Sequence, residues 1–262
     1  MSTPLRPAAA YLTRASITSS LKVELRRLTR SGLGLGVLVG FAFFGLSGPV
    51  LSIYMPEILG AAASTDQLAI SASQATPADA ISLFNQSAMQ LGLIVTVAVA
   101  ITSIGWDTRP GSSIFYRTRV HRLSTVLLPR LIIDWLIALA TYSCGLLLAV
   151  VVTASAIGHP PAGMVIRTWI ACGLYIVMAM SIGHLIAASL RRTTTAIALT
   201  TLLVLVLPVM NQVPGMSRRL PTALLLPTGP HAMPVIAALV VIALCSAGSV
   251  FIAGRQTLRR DA

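Results

Sequence analysis

Few side chains in this 262-residue chain are able to move protons, ligate metals or attack a substrate. The four histidines, His121, His159, His184 and His231, are scattered, and two of them sit beside prolines. Cys144, Cys172 and Cys245 lie inside apolar blocks, with no paired spacing and no histidine nearby, and read as small buried residues. There is no HExxH, no GxSxG and no GxxxxGK[ST] loop, so hydrolytic centres of those kinds and an ATP site within the chain are excluded. One spacing stands out: Arg130 and Asp134 are four apart, where they meet on one helix face and keep a carboxylate in an apolar block from standing unpaired. Asp134 and His184 fall near the ends of their blocks. No charge falls midway along any block, where an ion-coupled carrier ordinarily needs one.

The elements that must position these residues are set by composition. Hydrophobic residues make up 55% and charged residues 10%, with a mean hydropathy of +0.84. Soluble domains carry roughly 25% charged residues, so a soluble enzyme is excluded. The apolar residues fall into six blocks, at about 33–54, 87–106, 131–154, 165–188, 195–210 and 233–253. Each is near the length that crosses a hydrocarbon core, and backbone polar groups in lipid must be satisfied within the segment. The expected fold is an all-α polytopic membrane protein, one transmembrane domain over residues 1–262. A net charge of +12 does not signal nucleic acid, because the basic residues cluster between the blocks and form no stripe on a soluble module.

Those clusters orient the chain. With a cytoplasmic N-terminus, sixteen of the 19 basic residues fall inside, and only Arg167, Arg218 and Arg219 fall outside. The first outer segment, about 55–86, holds Glu57, Asp66 and Asp79 and no basic residue. Both termini are therefore expected in the cytoplasm. The N-terminus has no cleavable-signal pattern, since about thirty residues precede the first block.

Three segments between the spans carry further information. Residues 16–30 place Ile17, Leu21, Leu25 and Leu28 at spacings of three and four, with Lys22, Arg26, Arg27 and Arg30 elsewhere, the pattern of an amphipathic interfacial helix. Between spans two and three, Pro110-Gly111 breaks the chain and Ser112 or Ser113 caps a short helix. That helix sets Ile114, Phe115 and Val120 beside Arg117, Arg119 and Arg122, a docking element for a soluble partner. Between spans five and six, six prolines divide short apolar runs, which are expected to be re-entrant or interfacial on the outer side. Arg218 and Arg219 there would contact headgroups or close an outer gate. In span one, Gly32, Gly36, Gly40 and Gly48 repeat at multiples of four on one face, suited to close helix packing or dimer contact.

This order of segments resembles the permease subunits of ABC-2 type ATP-binding-cassette transporters, in the bacterial half-size exporter form. The resemblance covers nearly the whole chain: elbow helix, six spans, cytoplasmic coupling helix between spans two and three, and outer re-entrant segments between spans five and six. The family's acid–Gly-Thr–Pro-Arg–basic pattern is matched by Asp107, Gly111-Ser112, Arg122 and Arg130, with Ser112 for the usual threonine and Val120 where proline often falls. The resemblance implies two cytoplasmic ATPase subunits docking at 112–122, a second permease copy or sister permease, surrounding membrane lipids, and no nucleic acid. ATP and Mg would be bound by the ATPases and no cofactor by this chain. ATP-driven closure would move spans one, two and five and export a hydrophobic or amphipathic molecule across a bacterial cytoplasmic membrane. An ATP-independent scaffold and an ion-coupled carrier are the alternatives.

Overall fold

The computed structural model describes residues 21–62, 75–104, 124–190, 192–212, 220–225 and 232–258. Residues 21–31 form a first helix, α1, and Gly32 turns the chain into α2, Leu33–Ala62. Gly32 has φ +70, a left-handed backbone that glycine adopts without strain, so it is a corner and not a rung of the span-one glycine face. Next come α3, Pro77–Ser87, a π-helical turn at Ala88–Gly92 and α4, Leu93–Ile104, as one continuous rod. Helix α5 is Ser124–Ala156, α6 is Ala162–Leu190 and α7 is Thr193–Val206. Two 3-10 turns, Leu207–Gln212 and Pro221–Leu225, precede α8, Ala232–Leu258.

Six of these rods are long and apolar enough to cross a membrane: Leu33–Met55, Pro77–Ser103, Leu127–Ala156, Ala162–Leu190, Thr193–Met210 and Ala232–Ile252. The chain is a polytopic all-helical membrane protein. Span two is the main departure from the expected boundaries, beginning ten residues earlier than its apolar block. Asp79, Asn85 and Gln86 lower the hydropathy of 77–86, yet the local chemistry is that of a helix start. The Thr76 hydroxyl accepts from the Asp79 amide at 3.2 Å, the Asp79 carboxylate accepts from the Thr76 amide at 3.2 Å, and Pro77 takes the first helical position. Ala80, Ile81 and Phe84 bury the other side of that turn. The fifth rod tightens from α to 3-10 at Leu207, next to Pro208, which has no N–H for an α-helical bond.

The most enclosed rod is α6, packed by α4, α5, α7, α8 and the Pro221–Leu225 turn. Helix α2 lies against α5 and α3. Backbone meets backbone there: a Cβ on Gly145 would stand 2.6 Å from the Phe41 carbonyl oxygen, and one on Gly48 would stand 2.8 Å from the Phe84 backbone. Gly36 and Gly40, by contrast, open onto space with nothing within 4 Å. Of the four glycines on the expected face, only Gly48 makes close contact inside the chain. Gly45 and Gly145 supply the other close approaches. Tyr142 completes this region, stacked on Phe84 at 5.9 Å and edge-on to Phe41 at 5.8 Å, with its hydroxyl donating to Asn85 Oδ1 at 2.9 Å.

Candidate functional site

Helix α1 turns a polar edge toward the spans. Glu24 and Leu28 are buried, whereas Val23, Leu25, Arg26 and Arg30 are exposed. Leu25 and Leu28, which share a face by spacing, are thus divided: Leu28 packs inward and Leu25 points away. Glu24 and Arg27, one turn apart, pair at 2.8 Å. Arg27 also donates to the Ser103 carbonyl at 3.1 Å, near the last residues of α4, where a helix leaves its carbonyls without intrahelical partners.

From the other side, α5 supplies Arg130 and Asp134. Arg130 Nε lies 3.5 Å from Glu24 Oε2, so the basic residue expected by spacing to pair with Asp134 reaches a carboxylate on another helix. The Ser103 hydroxyl lies 2.6 Å from Asp134 Oδ2 and 2.8 Å from the Ala100 carbonyl, and its single proton serves one of them at a time. His184, on α6, brings Nε2 to 3.4 Å from the same Asp134 oxygen. Four helices therefore converge on Glu24, Arg27, Ser103, Arg130, Asp134 and His184. All but Arg27 are buried, and His184 is fully enclosed.

The charges nearly balance among the described residues. Two carboxylates face two guanidiniums, for a formal sum of zero with neutral His184, which makes enclosure of the group tolerable. Burial nonetheless pushes the Glu24 carboxyl above its usual range; Arg130 and then Arg27 pull it down, and Asp134 pushes it up. Asp134 lies about two turns from the start of its span and His184 about as far from the end of its own. The cluster is thus at one end of the bundle. Among the described residues no group of three His, Cys, Asp or Glu side chains is placed to hold a metal.

The sequence marks Arg130, Asp134 and His184, and the fold brings them together. It gives Glu24 no such signal, because an acid among four basic residues in 16–30 reads as part of a solvated face. Ser103 is equally silent, being one hydroxyl in an apolar block. The expected docking residues Asp107, Gly111, Ser112, Ile114, Phe115, Arg117, Arg119 and Arg122 lie outside the described residues, as do Arg218 and Arg219. Leu21 is half-buried on α1. No family model matches the chain. No curated protein matches it either.

Proposed function

We propose that the chain is the membrane-spanning subunit of a transporter, and specifically an ABC-2 type permease subunit that exports a hydrophobic or amphipathic molecule. The observation that carries this reading is the coupling of α1 to the bundle. A short helix outside the spans turns at Gly32, is ion-paired through Glu24 to the start of span three and donates a hydrogen bond from Arg27 to the Ser103 carbonyl at the end of span two. A helix held that way passes a displacement on the cytoplasmic side into several spans together. The segment order described above supports the class, and the missing ATP loop requires ATP and Mg to be handled by partner ATPase subunits. A proton-coupled carrier is the second reading, favoured by the enclosed Asp134–His184 contact.

The two readings part in one experiment. The tagged chain is recovered in mild detergent from its native host, and its co-purifying proteins and subunit ratio are scored. A stoichiometric soluble ATPase in a 2:2 complex is the expected result. Recovery of the chain alone across several detergents and with nucleotide present, together with substrate movement under a pH gradient without ATP, refutes the permease reading in favour of the carrier.

A further inference from the structure

We propose that the outward face of α1 binds the anionic headgroups of membrane lipids through Lys22, Arg26 and Arg30. The site does not depend on what drives transport.

Lys22, Arg26 and Arg30 recur every four residues and all are exposed, so α1 carries one cation about every 6 Å along a single stripe. Glu24 and Leu28, which are buried, lie about 180° around the helix from that stripe, at about 100° per residue. The bundle therefore holds one face of α1 and leaves the cationic face turned away. Val23, 61% exposed, and Leu25, 46% exposed, flank the stripe on its two sides. Cations bordered by apolar side chains suit the boundary between headgroups and acyl chains. The level of α1 is fixed by what it touches. Arg27 donates to the carbonyl of Ser103, the last residue of the second span, and Glu24 meets Arg130 near the start of the third. Gly32 joins α1 directly to Leu33, where the first span begins. Three spans leave the hydrocarbon at this level, which is the level of the headgroups.

The chain has few anions of its own for these cations. It holds seven acidic residues against 19 basic ones. Glu24 and Asp134 are enclosed in the cluster. Glu57 and Asp79 stand near the ends of α2 and α3 that are remote from α1, and Asp66 falls between them in sequence. Asp107 and Asp261 remain, each with an arginine within two residues, Arg109 and Arg260. Among the described residues no carboxylate lies against Lys22, Arg26 or Arg30, the ion pairs there being those of Arg27, Arg130 and His184. The complement to the stripe is thus an anion from outside the chain, and the headgroup level supplies the phosphates of anionic lipids. Each lysine or arginine held at such a surface is worth about fivefold in binding.

The test uses the full chain in nanodiscs of phosphatidylcholine, alone or mixed with phosphatidylglycerol. Amide hydrogen exchange is read over residues 22–30. Exchange in the parent is expected to slow by at least about fivefold in the mixed discs. The triple variant Lys22→Gln, Arg26→Gln, Arg30→Gln should show no such slowing, and comparing both chains in the same discs cancels the local pH of an anionic surface. Arg167→Gln, which removes an exposed cation at the opposite end of the bundle, should slow as the parent does. Equal slowing in parent and triple variant overturns the site. Loss of slowing in Arg167→Gln makes it an effect of net charge and overturns the stripe. Slowing of the same size caused by inorganic phosphate in phosphatidylcholine discs overturns the lipid assignment in favour of a free anion. Should the triple variant fail to insert, Arg26→Gln alone decides, since slowing equal to the parent's overturns the site.

Discussion

A methyl group is predicted to have opposite effects at two classes of glycine in the same bundle. At Gly145 an added Cβ stands 2.6 Å from the Phe41 carbonyl oxygen, 2.9 Å from its Cβ and 3.0 Å from its carbonyl carbon. Ordinary contact begins at 3.4 Å, so α2 and α5 must separate by about 0.8 Å at that point. Nothing there yields easily: two of the three atoms are backbone, and Phe41 is fully buried against Tyr142. Overpacking costs about 1–3 kcal/mol, and a rigid backbone contact belongs in the upper part of that range. Against it stands the gain of about 0.8–1.0 kcal/mol in helix propensity when alanine replaces glycine. Gly145→Ala is therefore expected to lose about 1–2 kcal/mol. Gly36→Ala and Gly40→Ala, with nothing within 4 Å, keep the gain alone.

The assay is reversible SDS unfolding from mixed micelles, followed by tryptophan fluorescence under identical protein-to-detergent ratios. Gly145→Ala should unfold at a lower SDS fraction than the parent, and Gly36→Ala and Gly40→Ala at the same or a higher one. A Gly145→Ala protein as stable as the parent refutes the close approach of α2 and α5. Loss at Gly36 equal to that at Gly145 refutes the open face and means that another surface covers it.

The enclosed charges predict an asymmetry in the same assay. Arg130→Met takes the enclosed guanidinium from the buried Glu24 carboxyl and is expected to lose about 3–5 kcal/mol. Glu24→Gln should lose far less, because burial already favours the neutral form of that carboxyl. The folded state raises the affinity of Glu24 for its proton, so its contribution favours folding below the ordinary carboxylate range and is lost as pH rises through the raised value. The parent is thus expected to gain stability from this group on acidification, and Glu24→Gln to lack that gain; an unchanged pH slope refutes it. Orientation is checked by cysteines placed at Lys22 and at Glu57 in a cysteine-free background. An impermeant maleimide should label them from opposite faces of the membrane, and labelling of both from one face refutes an odd number of crossings between them.

The six spans are legible because twenty or so apolar residues leave a local, additive signal. The start of span two escapes it for a particular reason. Its first turns expose Asp79 and Gln86 while Phe84 packs on Gly48, so average hydropathy falls where the helix is well determined. Thr76-Pro77 with Asp79 three residues past the cap is the sequence signal that marks the true start. A spacing of four identifies a glycine face on span one but not what lies opposite, and the close approach uses Gly45 with Gly145 instead. Glu24 is silent for a related reason. Its partner on another helix, Arg130, is about a hundred residues distant, and only the tertiary fold shows that an acid among basic residues is turned inward.

The two kinds of contact also differ in what they permit. In the middle of the bundle, α2, α3 and α5 meet through glycine and aromatic contacts at van der Waals range. Dispersion falls steeply with separation, and a gap of 0.5–1 Å already forfeits about a quarter to a half of it. At the end near α1 the helices are joined by ion pairs, whose attraction falls only as the inverse of distance. A movement of about 1 Å there forfeits a smaller share of the attraction than the same gap between the glycine contacts. The fold thus places its stiff contacts along α2, α3 and α5 and its adjustable ones where α1 meets Ser103, Arg130, Asp134 and His184. A displacement of α1 is absorbed at the charged end first, and the glycine contacts oblige α2 and α5 to move together.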